Sequence, residues 1–383
     1  MPARASPAAS SSSNTARLAT RGEASFLRSE LLKWFRPGPD TLIHYVTSRC
    51  NAKCAHCYFS DQLNKKTDLS LDETLQLIRS AGPLRAVLVG GGEPFLSPHL
   101  VEMLTNYVRA CGVQFIQIPT MAYHTTRIDA AIRETLTACP KLNLTINVSI
   151  DGFENFHNQN RQLEDLFATA LDNITRIAAL KANFPTLRVA VVTVLMPENF
   201  ASVREFGAYI RDHADVDAHI LEPVRSQAFN HDDPQWRASA DDILAFWKDL
   251  TRHYYAKDQT RSRHLYTSRL LNKQVLTFAL NNLEVAYQNF VSQKPWPMDC
   301  VAGRRIAVVY PEGDIAVCEL RKRVNNVRQF GMNLKAAMSA AEFTDETARV
   351  TADKCFCTHG CFIPPSVRYS PRTLARLMWA SRA

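Results

Sequence analysis

The sequence predicts an α/β fold in which six parallel strands form an open, partial barrel. Between Asp40 and Arg225, strand-like apolar runs alternate with helical patterns through six strands. Such alternation is typical of parallel βαβ units. Six units are fewer than the eight of a closed (βα)8 barrel, so an open, TIM-like partial barrel is expected. Its functional face should be the edge at which the strands end.

The predicted strands are short apolar runs at residues 41–46, 85–89, 114–119, 142–150, 187–195 and 218–223. Helical patterns lie between them at about 71–80, 98–110, 127–138, 163–183 and 200–213. The first helix begins at a capping box formed by Ser70 and Glu73. Ala81-Gly82-Pro83 is a typical stop for that helix. Residues 40–225 are therefore predicted to form the core domain.

The remaining sequence predicts two further regions and a tail. Residues 226–295 carry helical periodicity at 241–255 and 268–290, with the polar stretch 227–236 as a surface loop, and form a helical bridge. Residues 296–365 form a small α+β domain that contains five cysteines. Within it, residues 304–310 and 314–318 predict a β-hairpin closed by Pro311-Glu312-Gly313. Residues 366–383 are a basic tail with a short helix expected to pack on the protein.

Residues 1–30 are predicted to be a disordered tail rich in Ala, Ser and Arg, because this composition cannot bury a core. The first acidic residue is Glu23. Such a segment is either an untargeted tail or an organelle transit peptide, which is also rich in Arg and Ser. A cytoplasmic protein is expected in the first case.

The composition is that of a globular protein, with 383 residues, 46% apolar and 21% charged. No apolar run approaches the roughly 18 residues of a membrane span. The formal net charge of +8 is explained as well by a basic pocket for an anionic substrate as by nucleic acid. No stripe of Lys and Arg interleaved with aromatic residues favours nucleic acid.

Ten cysteines are present, and eight fall into two groups. The first group is Cys50, Cys54 and Cys57, in a loop directly after the first predicted strand. Three thiolates from one loop suit a cuboidal iron–sulfur cluster and leave one iron open to a ligand. A structural zinc site needs four ligands, and His56 is poorly placed to be the fourth. The separate Cys111 and Cys139 are predicted to be buried or free thiols.

Two further motifs lie at strand ends. Gly91-Gly92-Glu93-Pro94 follows the second strand, and its glycines allow a ligand to approach the backbone. Glu93 offers a carboxylate to a ligand's amino group. Ser149-Ile150-Asp151-Gly152 ends the fourth strand, and Arg161 follows, where its guanidinium could bind a carboxylate.

Together these residues resemble the radical S-adenosylmethionine (radical SAM) superfamily. The resemblance covers about residues 40–225. It implies that Cys50, Cys54 and Cys57 hold a [4Fe-4S] cluster and that SAM binds its open iron. Gly91, Gly92 and Glu93 would then hold the amino group of SAM, and His56 would lie against its adenine. Ser149 and Arg161 match positions that contact the carboxylate or ribose of SAM, with Asp151 assisting.

The sequence departs from the family pattern at two places. Thr120-Met121-Ala122 stands where relatives often have Thr-Asn-Gly after the third strand, so a contact from that Asn is in doubt. His56 replaces the commoner aromatic ring before the third cysteine and can also form hydrogen bonds.

The second cysteine group resembles the SPASM/twitch domains appended to many radical SAM enzymes. Cys300, Gly313 and Cys318 match the opening of such domains, and a shortened closing run contributes Cys355, Cys357 and Cys361. The resemblance implies one auxiliary [4Fe-4S] cluster held by Cys300, Cys318, Cys361 and either Cys355 or Cys357. A zinc site built from the same thiols is the alternative.

The predicted function is that of a radical SAM enzyme. By resemblance, it cleaves SAM reductively and uses the 5′-deoxyadenosyl radical to abstract hydrogen from a small metabolite or peptide. A ferredoxin or flavodoxin is the expected type of electron donor. The alternatives are a non-catalytic metal-binding scaffold of the same fold and a nucleic-acid-modifying radical SAM enzyme. Glu222 and Arg225, at the end of the sixth strand, are candidate substrate contacts, whereas Asp299 and Glu319 are expected to be solvated.

Overall fold

The computed structural model describes residues 36, 38–225, 234–261 and 269–380, and within these ranges nine strands form one sheet. The strands are β1 (Thr41–Tyr45), β2 (Ala86–Gly90), β3 (Phe115–Thr120), β4 (Asn143–Ser149), β5 (Leu187–Leu195), β6 (Ala218–Pro223), β7 (Ile306–Val309), β8 (Asp314–Ala316) and β9 (Asn325–Asn326). Their order is β6-β5-β4-β3-β2-β1-β7-β8-β9. Strands β1 to β6 pair in parallel with their neighbours, so the predicted open barrel is confirmed.

The helices of the described ranges follow the predicted alternation. They are α1 (Leu71–Ala81), α2 (Leu100–Cys111), α3 (Thr125–Ala138), α4 (Glu154–Arg161), α5 (Leu166–Leu180), α6 (Val203–His213), α7 (Pro234–Arg261), α8 (Arg269–Ser292), α9 (Leu334–Ser339), α10 (Ala341–Ala352), α11 (Ile363–Arg368) and α12 (Pro371–Ala380). The capping box before α1 is present: Ser70 Oγ accepts from Glu73 N, and the Glu73 carboxylate accepts from Ser70 N.

Part of the predicted surface loop is helical. Residues 234–236 belong to the first turn of α7, because Pro is favoured at the start of a helix. The rest of that stretch, and the predicted tail at residues 1–30, lie outside the described residues.

The predicted β-hairpin is present, and it extends the barrel sheet. Strand β7 runs parallel to β1, with Ile43 opposite Val308, and β8 returns antiparallel beside β7. The cysteine-bearing region is therefore joined to the core through the same sheet. Cys318 follows β8, and its neighbour Glu319 contacts the hydroxyl of Tyr45 at the end of β1.

Helices cover the open side of the barrel beyond β6. Both α7 and α8 contact β6, and α11 and α12 contact α8. The C-terminal helix thus packs on the protein, as expected. Among the described residues, no helix combines the length and apolar character needed to cross a membrane.

Candidate active site

The three cysteines of the first group and most of the predicted site residues line one cavity of about 330 Å³. The cavity lies where β1 to β6 end, the edge predicted for function. Of the core residues predicted as ligands, those lining it are Cys50, Cys54, His56, Cys57, Gly91, Gly92, Glu93, Ser149 and Arg161. Asp151 does not line it. Glu222 and Arg225 also line the cavity. The sequence therefore identified one continuous site from segments far apart in the chain.

The cysteine loop is held against the Gly-Gly-Glu-Pro turn by backbone hydrogen bonds. Gly92 N donates to Thr47 O at 2.9 Å, and Glu93 N donates to Arg49 O at 2.8 Å. A Cβ atom at Gly91 would overlap the Thr47 carbonyl, and one at Gly92 would overlap the Arg49 carbonyl. Gly91 also has a φ of +123°, which disfavours other residues. Glycine is needed at both positions chiefly because the cysteine loop packs closely against them. The sequence had suggested only that a ligand approaches the backbone there.

The thiols of the loop influence one another and a neighbouring cation. The pKa of Cys50 is raised to about 11, mainly by burial and in part by Cys54, Glu93 and Cys57. Burial also raises the pKa of Cys54 and Cys57, but Arg161 opposes this shift for both thiols. Arg161 Nη1 lies 3.8 Å from Cys54 Sγ. This buried cation stabilises the thiolate form, which is the form that binds metals.

Asp151 acts on the site through Arg161. Its carboxylate is fully buried and accepts from Arg161 Nε at 2.9 Å and from Arg161 Nη2 at 3.2 Å. Burial alone would raise the pKa of Asp151, but Arg161, His56 and His157 lower it to about 2. A bidentate pair of this kind fixes the orientation of the guanidinium. Asp151 is thus a positioning residue at the rear of the cavity.

Glu93 is fully buried, and most of its acceptor capacity is in use. Its carboxylate accepts from Phe95 N at 3.2 Å, Thr120 Oγ1 at 2.9 Å and Met121 N at 3.0 Å. Burial raises the pKa of Glu93 to about 7 against the lowering effect of these bonds. An ionised carboxylate offers about four acceptor positions, so one remains for a ligand. Thr120 and Met121 therefore orient Glu93, and Met121, which replaces the Asn of the family pattern, does so through its backbone N–H.

His56 is held by Asn160, a residue that the sequence did not indicate. Asn160 Nδ2 lies 3.1 Å from His56 Nδ1 and donates to Asp151 Oδ2 at 3.0 Å. Burial lowers the pKa of His56, so its ring is neutral near pH 7. The only available sequence signal for Asn160 was its position directly before Arg161 on α4.

Glu319 is buried in the cavity wall, so the expectation that it is solvated was wrong. The side chain is 3% exposed. Its carboxylate accepts from Tyr58 Oη at 2.9 Å and from Arg225 Nη1 at 3.3 Å, and it also contacts the Tyr45 hydroxyl and His359 Nε2. Sequence reasoning missed Tyr45 and Tyr58, although Tyr58 directly follows Cys57. By contrast, Asp299 is exposed, as expected.

Four of the five later cysteines lie near one another. Cys355 and Cys357 raise the pKa of other members of the group: Cys355 acts on Cys300 and Cys357, and Cys357 acts on Cys318. Backbone amides donate to two of the sulfurs, Leu320 N to Cys318 and His359 N to Cys357, both at 3.4 Å. Such bonds favour the thiolate form.

Cys361 lines the 330 Å³ cavity, which the other four later cysteines do not line. Arg225 Nη2 is 3.9 Å from its sulfur. Besides burial, the groups that act on its pKa are Arg225, Glu319 and Glu222. The effects on pKa thus connect Cys300, Cys318, Cys355 and Cys357 with one another, and the ligand set with Cys361 that the resemblance implied stays a prediction.

Within the ranges that the structure describes, no three Cys, His, Asp or Glu side chains are arranged to hold a single metal ion. In a cuboidal cluster each thiolate binds a different iron. The sulfurs of such a site therefore do not need to meet at one point.

Comparison with known families agrees with this arrangement. Residues 44–210 match the model of the radical SAM superfamily. These residues form a radical SAM domain. Domains of this family bind a [4Fe-4S] cluster and SAM, and its members catalyse radical reactions.

Curated relatives match the radical SAM domain at low identity. A GTP 3′,8-cyclase from Lactiplantibacillus plantarum is 28% identical over 46% of this chain and 52% of its own length. The mycofactocin maturase MftC from Mycobacterium ulcerans is 27% identical over 47% of this chain and 49% of its own length. The chain thus spans about half the length of the curated relatives it matches.

Solved structures resemble the chain over more of its length. A structure of anSMEcpe with bound AdoMet and Cp18Cys peptide has a TM-score of 0.53 and 14% identity, covering 90% of this chain and 99% of that one. Streptococcus suis SuiB bound to its precursor peptide SuiA has a TM-score of 0.51 and 13% identity, covering 93% and 75%. At these identities the likeness concerns the fold alone.

The residues of the cavity fit a cluster and SAM. Three partly exposed thiols face the same cavity as a buried carboxylate and a buried guanidinium. In addition, the Oδ1 atom of Asn147, which lines the cavity, is buried and has no hydrogen-bond partner among the described residues. A buried acceptor of this kind is usually satisfied by a ligand or an ordered water. Asn147 was missed by the sequence, although it shares a strand face with Ser149.

Proposed function

We propose that the chain is a radical SAM enzyme that abstracts hydrogen from a small-molecule or peptide substrate. The observation that carries this proposal is the single cavity shared by Cys50, Cys54, Cys57 and the Gly91–Glu93 turn. A metal-binding scaffold has no need of a buried carboxylate and guanidinium beside the thiols. The nucleic-acid alternative gains no support from the geometry of this cavity.

Each residue of the cavity has a role in the proposal. Cys50, Cys54 and Cys57 hold the cluster, and the nearby Arg161 balances part of their negative charge. Glu93 uses its remaining acceptor position for the SAM amino group, which also approaches the backbone of Gly91 and Gly92. Arg161 and Ser149 bind the SAM carboxylate or ribose, Asp151 orients Arg161, and His56 packs on the adenine.

Bound in this cavity, the cluster and SAM would supply a one-electron cleavage of the sulfonium and a 5′-deoxyadenosyl radical that removes hydrogen from the substrate. The protein contributes a cavity lined by both apolar and polar side chains. Glu222, Arg225 and Glu319 are charged groups of the cavity wall, and Arg225 and Glu319 contact Tyr58, the residue after Cys57. We assign substrate contacts to Glu222 and Arg225. The electron is supplied by a partner such as a ferredoxin or flavodoxin.

The second cysteine group is proposed to hold one auxiliary [4Fe-4S] cluster through Cys300, Cys318, Cys355 and Cys357. The mutual influence of these thiols and the two amide donors to sulfur support this set. Cys361 then remains as a thiol in the cavity wall. A zinc ion bound by the same four thiols is the competing proposal, although the described thiols are not arranged around a single ion. Metal analysis separates the two.

The test is anaerobic purification of the full chain followed by iron, sulfide and zinc analysis and a SAM cleavage assay. We expect about eight irons per chain and 5′-deoxyadenosine after reduction in the presence of SAM. Replacing Cys54 with Ala should remove about four irons and abolish 5′-deoxyadenosine formation. Replacing Cys355 with Ala should lower the auxiliary iron content and leave the first cluster in place.

Cys139→Ala is the matched control, since Cys139 is a buried thiol distant from both groups, and it should leave iron content and SAM cleavage unchanged. A fully loaded protein that does not cleave SAM would refute the enzymatic proposal. Four irons together with one zinc would refute the auxiliary cluster. If Cys300, Cys318, Cys355 and Cys357 are the ligands, a Cys361→Ala variant should keep the iron content of the unchanged protein.

A further inference from the structure

A second cavity of about 550 Å³ lies deeper in the barrel, and we call it the lower chamber. Its lining includes residues near the starts of β1, β2 and β3, such as Thr41, Ala86 and Phe115. The residues that line both this chamber and the 330 Å³ cavity are Leu88, Gln117, Ile220, Glu222 and Cys361. The lower chamber is therefore adjacent to the candidate active site and shares its wall.

The walls of the lower chamber are formed by the barrel on one side and by α7, α8 and α11 on the other. These helices cover the open edge of the sheet at β6. Trp247, Tyr255 and Leu283 give this side an aromatic and apolar character. The shape of the chamber is thus set by the helical bridge, which lies outside the region matched by the family model.

Two buried rings in the wall carry polar atoms without partners. Trp247 Nε1 and His219 Nδ1 form no hydrogen bond within the described residues. The two residues are 1% and 4% exposed. Their ring centroids are 5.3 Å apart in an edge-to-face arrangement. Buried polar groups are nearly always hydrogen-bonded, so two unpartnered atoms at adjacent rings point to a bound group.

The hydrogen-bond network of Thr193 determines which atom of His219 carries the proton. Thr193 Oγ1 donates its single hydrogen to Ile150 O at 2.6 Å. It must therefore accept from His219 Nε2, which lies 2.8 Å away. The proton of the neutral ring is on Nε2, and Nδ1 is a free acceptor. Burial lowers the pKa of His219 to about 3, so the ring stays neutral near pH 7.

A third unpartnered atom adds a further acceptor. Asn282, which lines the chamber from α8, has a buried Oδ1 without a hydrogen-bond partner in the described part of the chain. Tyr254 also has an unpartnered hydroxyl, but Arg211 and Asp212 act on its pKa, which indicates that it faces α6. Besides the Tyr254 hydroxyl, the unpartnered polar atoms of these lining residues are thus one donor, Trp247 Nε1, and two acceptors, His219 Nδ1 and Asn282 Oδ1.

We propose that the lower chamber binds an uncharged amide group of the substrate, with Trp247 donating to its carbonyl and His219 and Asn282 accepting from its N–H. This inference rests on the proposed function, because it assigns part of the substrate of the same site. An amide matches the wall, since it carries both an acceptor and donors on a small planar group. A carboxylate does not match these three atoms, because it has no donor and would face two acceptors. The cations of the lining, Arg85 and Arg368, are accompanied by two anions, Asp217 and Glu222. A hydrocarbon leaves all three wall atoms unpartnered.

The test uses three probes of nearly the same shape: benzamide, benzoate and toluene. Each is measured by equilibrium dialysis against the full-length, cluster-loaded protein in the absence of reductant. We expect benzamide to bind at least tenfold more tightly than benzoate or toluene. Saturating SAM should not displace it, because the chamber lies beneath the SAM cavity.

Trp247→Phe keeps the ring and removes the donor, so it should weaken benzamide binding about tenfold, the effect of one lost hydrogen bond. It should leave toluene binding unchanged. Asn282→Leu should weaken benzamide binding severalfold. This second variant provides an independent test if the Trp247 variant does not fold. Trp379→Phe is the matched control, since Trp379 is 77% exposed on α12, and it should change nothing.

The proposal is overturned if toluene binds as tightly as benzamide or if SAM displaces benzamide. It is also overturned if no probe binds, which is the result expected when ordered waters form the hydrogen bonds of the three polar atoms. Formation of 5′-deoxyadenosine is measured on the same preparation. A protein that cleaves SAM and does not bind benzamide refutes only the amide site. A protein that binds benzamide and does not cleave SAM refutes only the proposed enzymatic function.

Discussion

Single residues of the candidate site owe their properties to burial and to their direct partners. Arg161 lies between Asp151 and Cys54, and its charge is balanced by both. Since neither Asp151 nor the Arg161 head group is well solvated, each depends on the other. The same two residue types on a solvated helix face, Asp172 and Arg176, form a pair with far weaker consequences.

Replacing Asp151 with Asn should therefore destabilise the protein by about 3–5 kcal/mol, because the buried Arg161 charge loses its partner. The measurement is the free energy of unfolding from urea titration. Asp172→Asn is the matched control and should produce little change, since water solvates its partner. Similar losses from both variants would show that the Asp151–Arg161 pair is not a buried, mutually dependent pair.

At the scale of elements, the ends of strands and helices determine where functional groups lie. The Gly91–Glu93 turn at the end of β2 packs on the cysteine loop after β1, because parallel neighbours end at the same edge. Local capping signals fix some of these ends. The box formed by Ser70 and Glu73 sets the start of α1, the helix that connects β1 to β2.

Ser70→Ala should lower the free energy of unfolding by about 1 kcal/mol, because it removes the side-chain acceptor for Glu73 N. Ser202→Ala is a close control: Ser202 is also the residue preceding a helix, α6, but its side chain makes no capping bond. Thermal or urea unfolding of both variants provides the measurement. Equal effects would contradict a specific contribution from the capping box.

At the scale of the whole molecule, Glu319 joins the core to the later cysteine region. It contacts Tyr45 on β1, Tyr58 beside the first cysteine group, Arg225 after β6, and His359 between Cys357 and Cys361. Hydrogen bonds and an ion pair lower the pKa of Glu319 against the raising effect of burial, so it is ionised at pH 7. One carboxylate therefore connects four separate segments.

Glu319→Gln should destabilise the protein by about 3 kcal/mol or more, because Arg225 loses its buried counter-ion. It should also increase amide hydrogen exchange at residues 355–361 while the iron content stays unchanged. Glu342→Gln, an exposed site in the same region, is the control and should alter neither. Unchanged exchange at residues 355–361 would show that Glu319 does not hold this segment to the core.

The sequence by itself determined the parallel α/β fold, the two cysteine groups and the motifs at the strand ends. These features depend on local signals: apolar periodicity, a capping box, and reactive residue types at short spacings. That is why residues such as Cys50, Glu93 and Arg161 could be predicted. The structure brings them together because parallel strands end at the same edge of the sheet.

Contacts between distant segments, by contrast, produce the burial of Glu319, the position of Cys361 in the wall of the 330 Å³ cavity, and the lower chamber between the barrel and α7, α8 and α11. Each of these depends on contacts between segments separated by tens to hundreds of residues. The sequence carries no local signal for such contacts, because burial and pKa depend on which distant segments pack against a side chain. The role of the glycines beside the cysteine loop became visible for the same reason.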